Sequence, residues 1–174
     1  MCTHWGISIA TMSNKTMISR VVDGVIVVSH NTQAPSASDW NEFCVLAGSA
    51  PRGGVVLVPP SCPGPNAGQR KLVTEAWSKN PDAHVSIITT TRVHRIIITA
   101  MAYFAGSQFS AYDPSDWQKA LANAAPRPAW PELLRILEQD LRELGGLNEC
   151  VRAGVDPAQW SRSLQLGASN SVAM

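Results

Sequence analysis

Charge is scarce in this sequence. Only 16% of its 174 residues are Asp, Glu, Lys or Arg, against about 25% in ordinary globular domains, and the formal net charge is +1. A field that weak steers a chain neither onto nucleic acid nor onto an anionic membrane, so no nucleic-acid partner is expected. Long apolar runs are missing too. The longest, 96–105, is interrupted by Thr99 and falls well short of the roughly 20 residues that span a bilayer, so no membrane insertion is expected. Residues 1–9 lack a basic stretch followed by an apolar one, and no secretory leader is read there. The four cysteines, Cys2, Cys44, Cys62 and Cys150, stand far apart without a C-x-x-C pair, a usage that indicates neither a zinc site nor a disulfide framework. The expected setting is the cytoplasm.

Two short, intensely apolar segments stand out. Val25-Ile26-Val27-Val28 leads into Ser29-His30-Asn31-Thr32, and Val55-Val56-Leu57-Val58 leads into a polar, proline-containing stretch up to Arg70. Continuous β-branched runs are what strands buried on both faces of a parallel sheet look like. Ligands and partners of such sheets meet the carboxyl ends of the strands, where these polar exits lie.

Along the chain, 17–22 and 25–29 read as strands joined by Asp23-Gly24, a two-residue hairpin signal. A helix capped by Ser36 follows, with Trp40, Phe43, Cys44 and Leu46 at helical spacing. Strand 55–58 precedes a helix capped by Asn66, with Gln69 three residues on completing a capping box and Leu72, Val73, Ala76 and Trp77 as its buried face. Strand 85–89 precedes a helix whose apolar residues Val93, Ile96, Ile97, Ala100, Met101 and Phe104 recur at the helical period, with Gly106 as its stop. A short strand over 109–112 leads to a helix started by Asp113-Pro114. Tyr112 with Trp117, and Val155 with Trp160 around Asp156-Pro157, occupy hydrophobic-staple positions that need no stacking role.

The fold class implied is α/β: a mixed sheet of four to five strands with helices packed on it, plus a C-terminal helical extension. The expected organisation is an N-terminal segment over 1–16, the α/β domain over 17–124, the helical extension over 125–166 and a disordered tail over 167–174. Ala125 to Pro131, with three prolines, makes the linker or corner. Beyond it Leu134, Leu137, Leu141 and Leu144 alternate steps of three and four, as in a short coiled-coil seam. Those leucines either pack on the parent domain or recruit a partner helix.

The order of elements resembles the STAS domain, the fold of anti-sigma factor antagonists and of the cytoplasmic parts of sulfate transporters. More narrowly, 25–31, the stretch Gly64-Pro65-Asn66-Ala67-Gly68-Gln69-Arg70-Lys71 and 91–104 look like small STAS-like proteins of myxobacteria, of unassigned function. The resemblance covers roughly 17–124. It implies a bacterial, regulatory domain that acts through protein–protein interaction. In antagonists of this class a phosphorylatable Ser or Thr opens the helix after the third strand; the nearest match is Ser61, although the usual Asp-Ser pattern is absent and Pro59, Pro60 and Pro63 surround it.

The candidate ligand or partner edge comprises His30, Asn31, Thr32, Ser61, Gly64, Asn66, Gly68, Arg70, Thr91 and Arg92. Two helix amino termini converge there with free N–H groups, so a nucleotide or other small anion is one expected occupant. Caps and turns explain the same Asn, Thr and Gly residues without any ligand. Hydrolysis by Ser61 with His30 or His94 lacks the G-x-S-x-G elbow and an orienting carboxylate. His30, His84, His94 and Asp82 show no metal-ligand spacing, and Cys62 has no evident activating neighbour. No catalytic residue, metal or cofactor is assigned. The expectation is a non-enzymatic STAS-like regulatory or scaffolding domain that binds another protein and can form a homo-oligomer; the alternative is a small-molecule sensor at the strand ends.

Overall fold

The computed structural model describes residues 15–49, 52–104 and 109–171. Strands β1 (Met17–Val22) and β2 (Val25–His30) form the expected hairpin, with Val22 opposite Val25. Asp23 and Gly24 both take positive φ, 50° and 77°, the conformation that matches a two-residue turn to the right-handed twist of its strands. Strands β3 (Gly53–Val58), β4 (His84–Thr89) and β5 (Phe109–Tyr112) then add in parallel, giving the order β1-β2-β3-β4-β5. The fold is therefore α/β with a five-stranded mixed sheet.

That order has a geometric consequence. Each crossover steps to the next strand in one direction, so right-handed connections put all their helices on one face. Helices α1 (Ala37–Ala47), α2 (Ala67–Trp77) and α3 (Arg92–Phe104) do lie together. Their Trp40, Phe43, Val73, Trp77 and Ile98 pack with Ile26, Val28, Val56, Val58 and Val85. The opposite face presents the alternate strand residues Val25, Val27, Val55, Leu57 and Ile88, as the two-residue period of a strand requires. Without a second layer those side chains would meet water.

The C-terminal part is that second layer. Helices α4 (Trp117–Ala124) and α5 (Trp130–Glu143) supply Leu121, Leu133, Leu134, Leu137 and Leu141 to the core containing Val25, Val27 and Leu57. Helices α6 (Leu147–Arg152) and α7 (Pro157–Ser171) add Cys150 and Trp160. Of the two alternatives for the leucines, packing on the parent domain is the one the structure shows, in place of a partner helix. Leu134, Leu137 and Leu141 are fully buried inside the chain and Leu144 is half-buried. The prolines make a corner: the indole of Trp130 donates to the Ala125 carbonyl at 3.1 Å, and Ala125 and Ala129 are buried.

Three other expectations change. Trp117 and Trp160 stack on each other, with centroids 5.5 Å apart and planes 6° from parallel, and Trp117 also meets Trp130 edge-on. Their role is to join α4, α5 and α7 rather than only to staple two helix starts. Residues 167–171, expected to be disordered, continue α7 as helix. Leu72, assigned to the buried face of α2, is 45% exposed, while Val73, Ala76 and Trp77 are buried as expected. Gly106, residues 1–14 and residues 172–174 lie outside the described residues, and among those described no helix is long and apolar enough to cross a membrane.

Candidate functional site

The loops leaving β2, β3 and β4 meet as anticipated, but they are held by one another. Asn31 receives the Gln33 amide on Oδ1 at 2.8 Å and donates from Nδ2 to the Lys15 carbonyl at 3.1 Å. Asp39, in the first turn of α1, accepts from the Thr16 amide and hydroxyl, both at 2.8 Å. Burial pushes its carboxyl up, yet the hydrogen bonds from Thr16 and Ser36 outweigh that and hold it below its ordinary value. Asn66 and Gln69 form the expected capping box, each bond 2.9 Å, and fill the start of α2 that was one of the anticipated anion sites. Arg70 donates to the Pro65 carbonyl at 2.7 Å and Thr91 to the Pro60 carbonyl at 3.2 Å. Thr32, Gly68 and Arg92 are exposed. Ser61 is exposed as well, and its hydroxyl donates to the Glu149 carboxylate of α6.

Beneath these loops is a cavity of about 130 Å³ between the sheet, α2 and α3. Helix α2 packs on α1 while α3 packs on β4 and β5, and the gap between α2 and α3 remains. Its walls are mainly Phe43, Val56, Val58, Val73, Ile98 and Met101. Of the predicted edge residues, His30, Gly64 and Arg70 line it, and His94 joins them; the other predicted residues do not. The cavity shares Arg70, Ile97 and Met101 with a surface groove between α2 and α3.

His30 ends β2 in phase with Ile26 and Val28 and so points to the α1–α3 side. It is 3% exposed, its ring lies 6.4 Å from Trp40, and its Nδ1 has no hydrogen-bond partner among the described residues. Burial, reinforced by nearby His94 and opposed by Asp39, lowers its pKa to about 4. It is therefore neutral at pH 7, with one ring nitrogen able to donate and the other to accept. His94 is also lowered by burial, against a hydrogen bond with the Cys62 backbone, and its Nδ1 is 3.4 Å from the Thr89 hydroxyl. Burial raises the Cys62 pKa, with the Gly64 backbone opposing, and its thiol donates to the Gln33 carbonyl at 3.6 Å. A thiol held protonated in this way is a poor nucleophile.

Sequence reasoning missed two features. The arginine that braces the strand ends is Arg95, whose Nη1 reaches the Thr89 and Thr90 carbonyls at 2.9 and 3.1 Å and Asp113 at 3.1 Å. Its signal was the acid of the following helix start, Asp113, one crossover away. Anchored by His94 and Arg95, α3 turns Ile98 into the core and leaves Val93 and Ile96 61% exposed, with Ile97 and Ala100 also at the surface. Of the apolar residues that recur at the helical period, Val93, Ile96, Ile97 and Ala100 thus face outward, while Met101 packs on the core.

No family model, no curated protein and no solved structure matches the chain.

Proposed function

We propose that the chain is a non-enzymatic, STAS-like regulatory or scaffolding domain that works through protein contact at the outer face of α3. The supporting observation is the exposed stripe of Val93, Ile96, Ile97 and Ala100, spaced as the contact face of a packed helix, while soluble domains rarely leave such patches uncovered without a use. Arg95 folds back to Asp113 and the carbonyls of β4, so no charge interrupts Val93, Ile96, Ile97 and Ala100, with the exposed Arg92 at their amino end and Lys71 and Glu75 across the α2–α3 groove. An apolar stripe can be complementary to itself, so its first occupant is a second copy of this chain related by a two-fold axis. The resemblance of 17–124 to STAS domains fits this use.

The test is analytical ultracentrifugation of the full chain. A concentration-dependent dimer is expected, converted to monomer by Ile96→Glu, whose melting temperature should match that of the wild type diluted to monomer, because Ile96 is not part of the core. A wild-type chain that stays monomeric at high micromolar concentration would overturn the proposal.

The second reading, a small-molecule sensor at the strand ends, is favoured by the cavity beside His30. Its volume and apolar walls suit a ligand much smaller than a nucleotide, since drug-sized ligands occupy about 300 Å³ or more.

A further inference from the structure

We infer that the cavity bounded by β2, β3, α2 and α3 is a binding site for a small, neutral, largely apolar molecule the size of one aromatic ring, carrying a single hydroxyl that pairs with the His30 imidazole. The inference rests on the sensor reading and names its ligand class. Size comes first: at about 130 Å³ the cavity is close to the apolar cavities of about 150 Å³ known to take up benzene. Chemistry comes next. Among the polar side chains on its wall, Arg70 is committed to the Pro65 carbonyl, and His94 to Thr89 and the Cys62 backbone. His30 is buried, and its Nδ1 is left without a partner among the described residues.

Buried polar groups are almost always hydrogen-bonded, and the His30 ring, on the wall of an otherwise apolar cavity, marks where a ligand's polar atom belongs. The ligand's charge follows from the same environment. A neutral imidazole offers no charge to balance a carboxylate, Arg70 stands where the cavity meets the groove with its Nη1 on the Pro65 carbonyl, and removing an ion from water into apolar walls is costly. A hydroxyl, which both donates and accepts, pairs with either tautomer.

The experiment measures thermal shifts and affinities of the full chain with phenol, toluene and benzoate at pH 7. Phenol is expected to stabilise the protein saturably and to bind about fivefold tighter than toluene, the gain of one hydrogen bond. Benzoate is expected not to bind. Ring-nitrogen NMR should show the His30 signals moving with phenol and not with toluene. In His30→Leu the preference for phenol should vanish; the wild-type comparison stands by itself if that variant does not fold. Equal affinity for phenol and toluene would overturn the role of His30 and leave the sensor reading standing. Stabilisation by benzoate alone would overturn the neutral-ligand class, and no stabilisation by any probe would overturn both.

Discussion

Arg20 of β1 donates from Nε to Oδ1 of Asp140 on α5 at 2.7 Å, tying the first strand to a helix 120 residues later. The Asp140 side chain is wholly buried while that of Arg20 is 41% exposed. Burial raises the Asp140 pKa in spite of the arginine, which pulls it down, and Asp140 in turn raises that of Arg20. Arg20→Ala strands a buried acid, at an expected cost of about 2 kcal/mol, below that of a wholly buried pair because water screens the arginine. Replacing both partners, Arg20→Met with Asp140→Leu, should recover most of the loss in urea denaturation. A double variant as unstable as the single one would contradict this account.

Leu137 lies at the centre of the second layer, fully buried beside the strand residues Val27 and Leu57. Leu137→Ala should cost about 3 kcal/mol and lower the midpoint of a single unfolding transition. An appended helix would instead give a small loss or a separate transition, and circular dichroism with tryptophan fluorescence tells the cases apart.

The His30 pKa, lowered from 6.5 to about 4 in the folded chain, makes stability depend on pH. Between those values the unfolded chain binds a proton that the folded chain does not. Its contribution is present above pH 6.5 and is lost as pH falls toward 4, by about 3 kcal/mol in all. His94 is displaced in the same direction, so the measured quantity is the wild-type slope minus that of His30→Leu. Identical slopes between pH 4 and 6.5 would count against the buried neutral histidine.

Gly53 opens β3 opposite His84. A Cβ there would lie 2.4 Å from the His84 carbonyl oxygen and 3.1 Å from that of Ala124, so backbone on both layers must shift. Gly53→Ala should cost about 3 kcal/mol, the upper end for overpacking, because neither contact is a side chain that can move aside. Thermal unfolding of this variant beside Gly68→Ala, whose added carbon meets only Asn66 Oδ1 at 3.4 Å, separates steric cost from the general loss of a glycine.

Much of the α/β part was legible because its signals are local. The Asp23-Gly24 turn, the Ser36 cap and the Asn66–Gln69 box act over two to four residues and form where their residue types allow. The strands declared themselves as β-branched runs, and β1 has the boundaries that pattern implies. His30 was legible as a polar residue at the carboxyl end of a buried strand. The cavity beside it was not, since its volume depends on how far α2 and α3 diverge over the sheet.

The sequence by itself determined the elements, their order and the crowding of polar loops at one edge of the sheet, because turn geometry, capping and apolar periodicity act through neighbours along the chain. Only the tertiary structure decided which apolar faces are covered. The one-way strand order left the Val27 and Leu57 face open for Leu134, Leu137 and Leu141 to close. The anchoring of α3 by His94 and Arg95 turned Val93 and Ile96 outward. Periodicity identifies an apolar stripe, but its burial depends on the partner surface that distant segments bring to it.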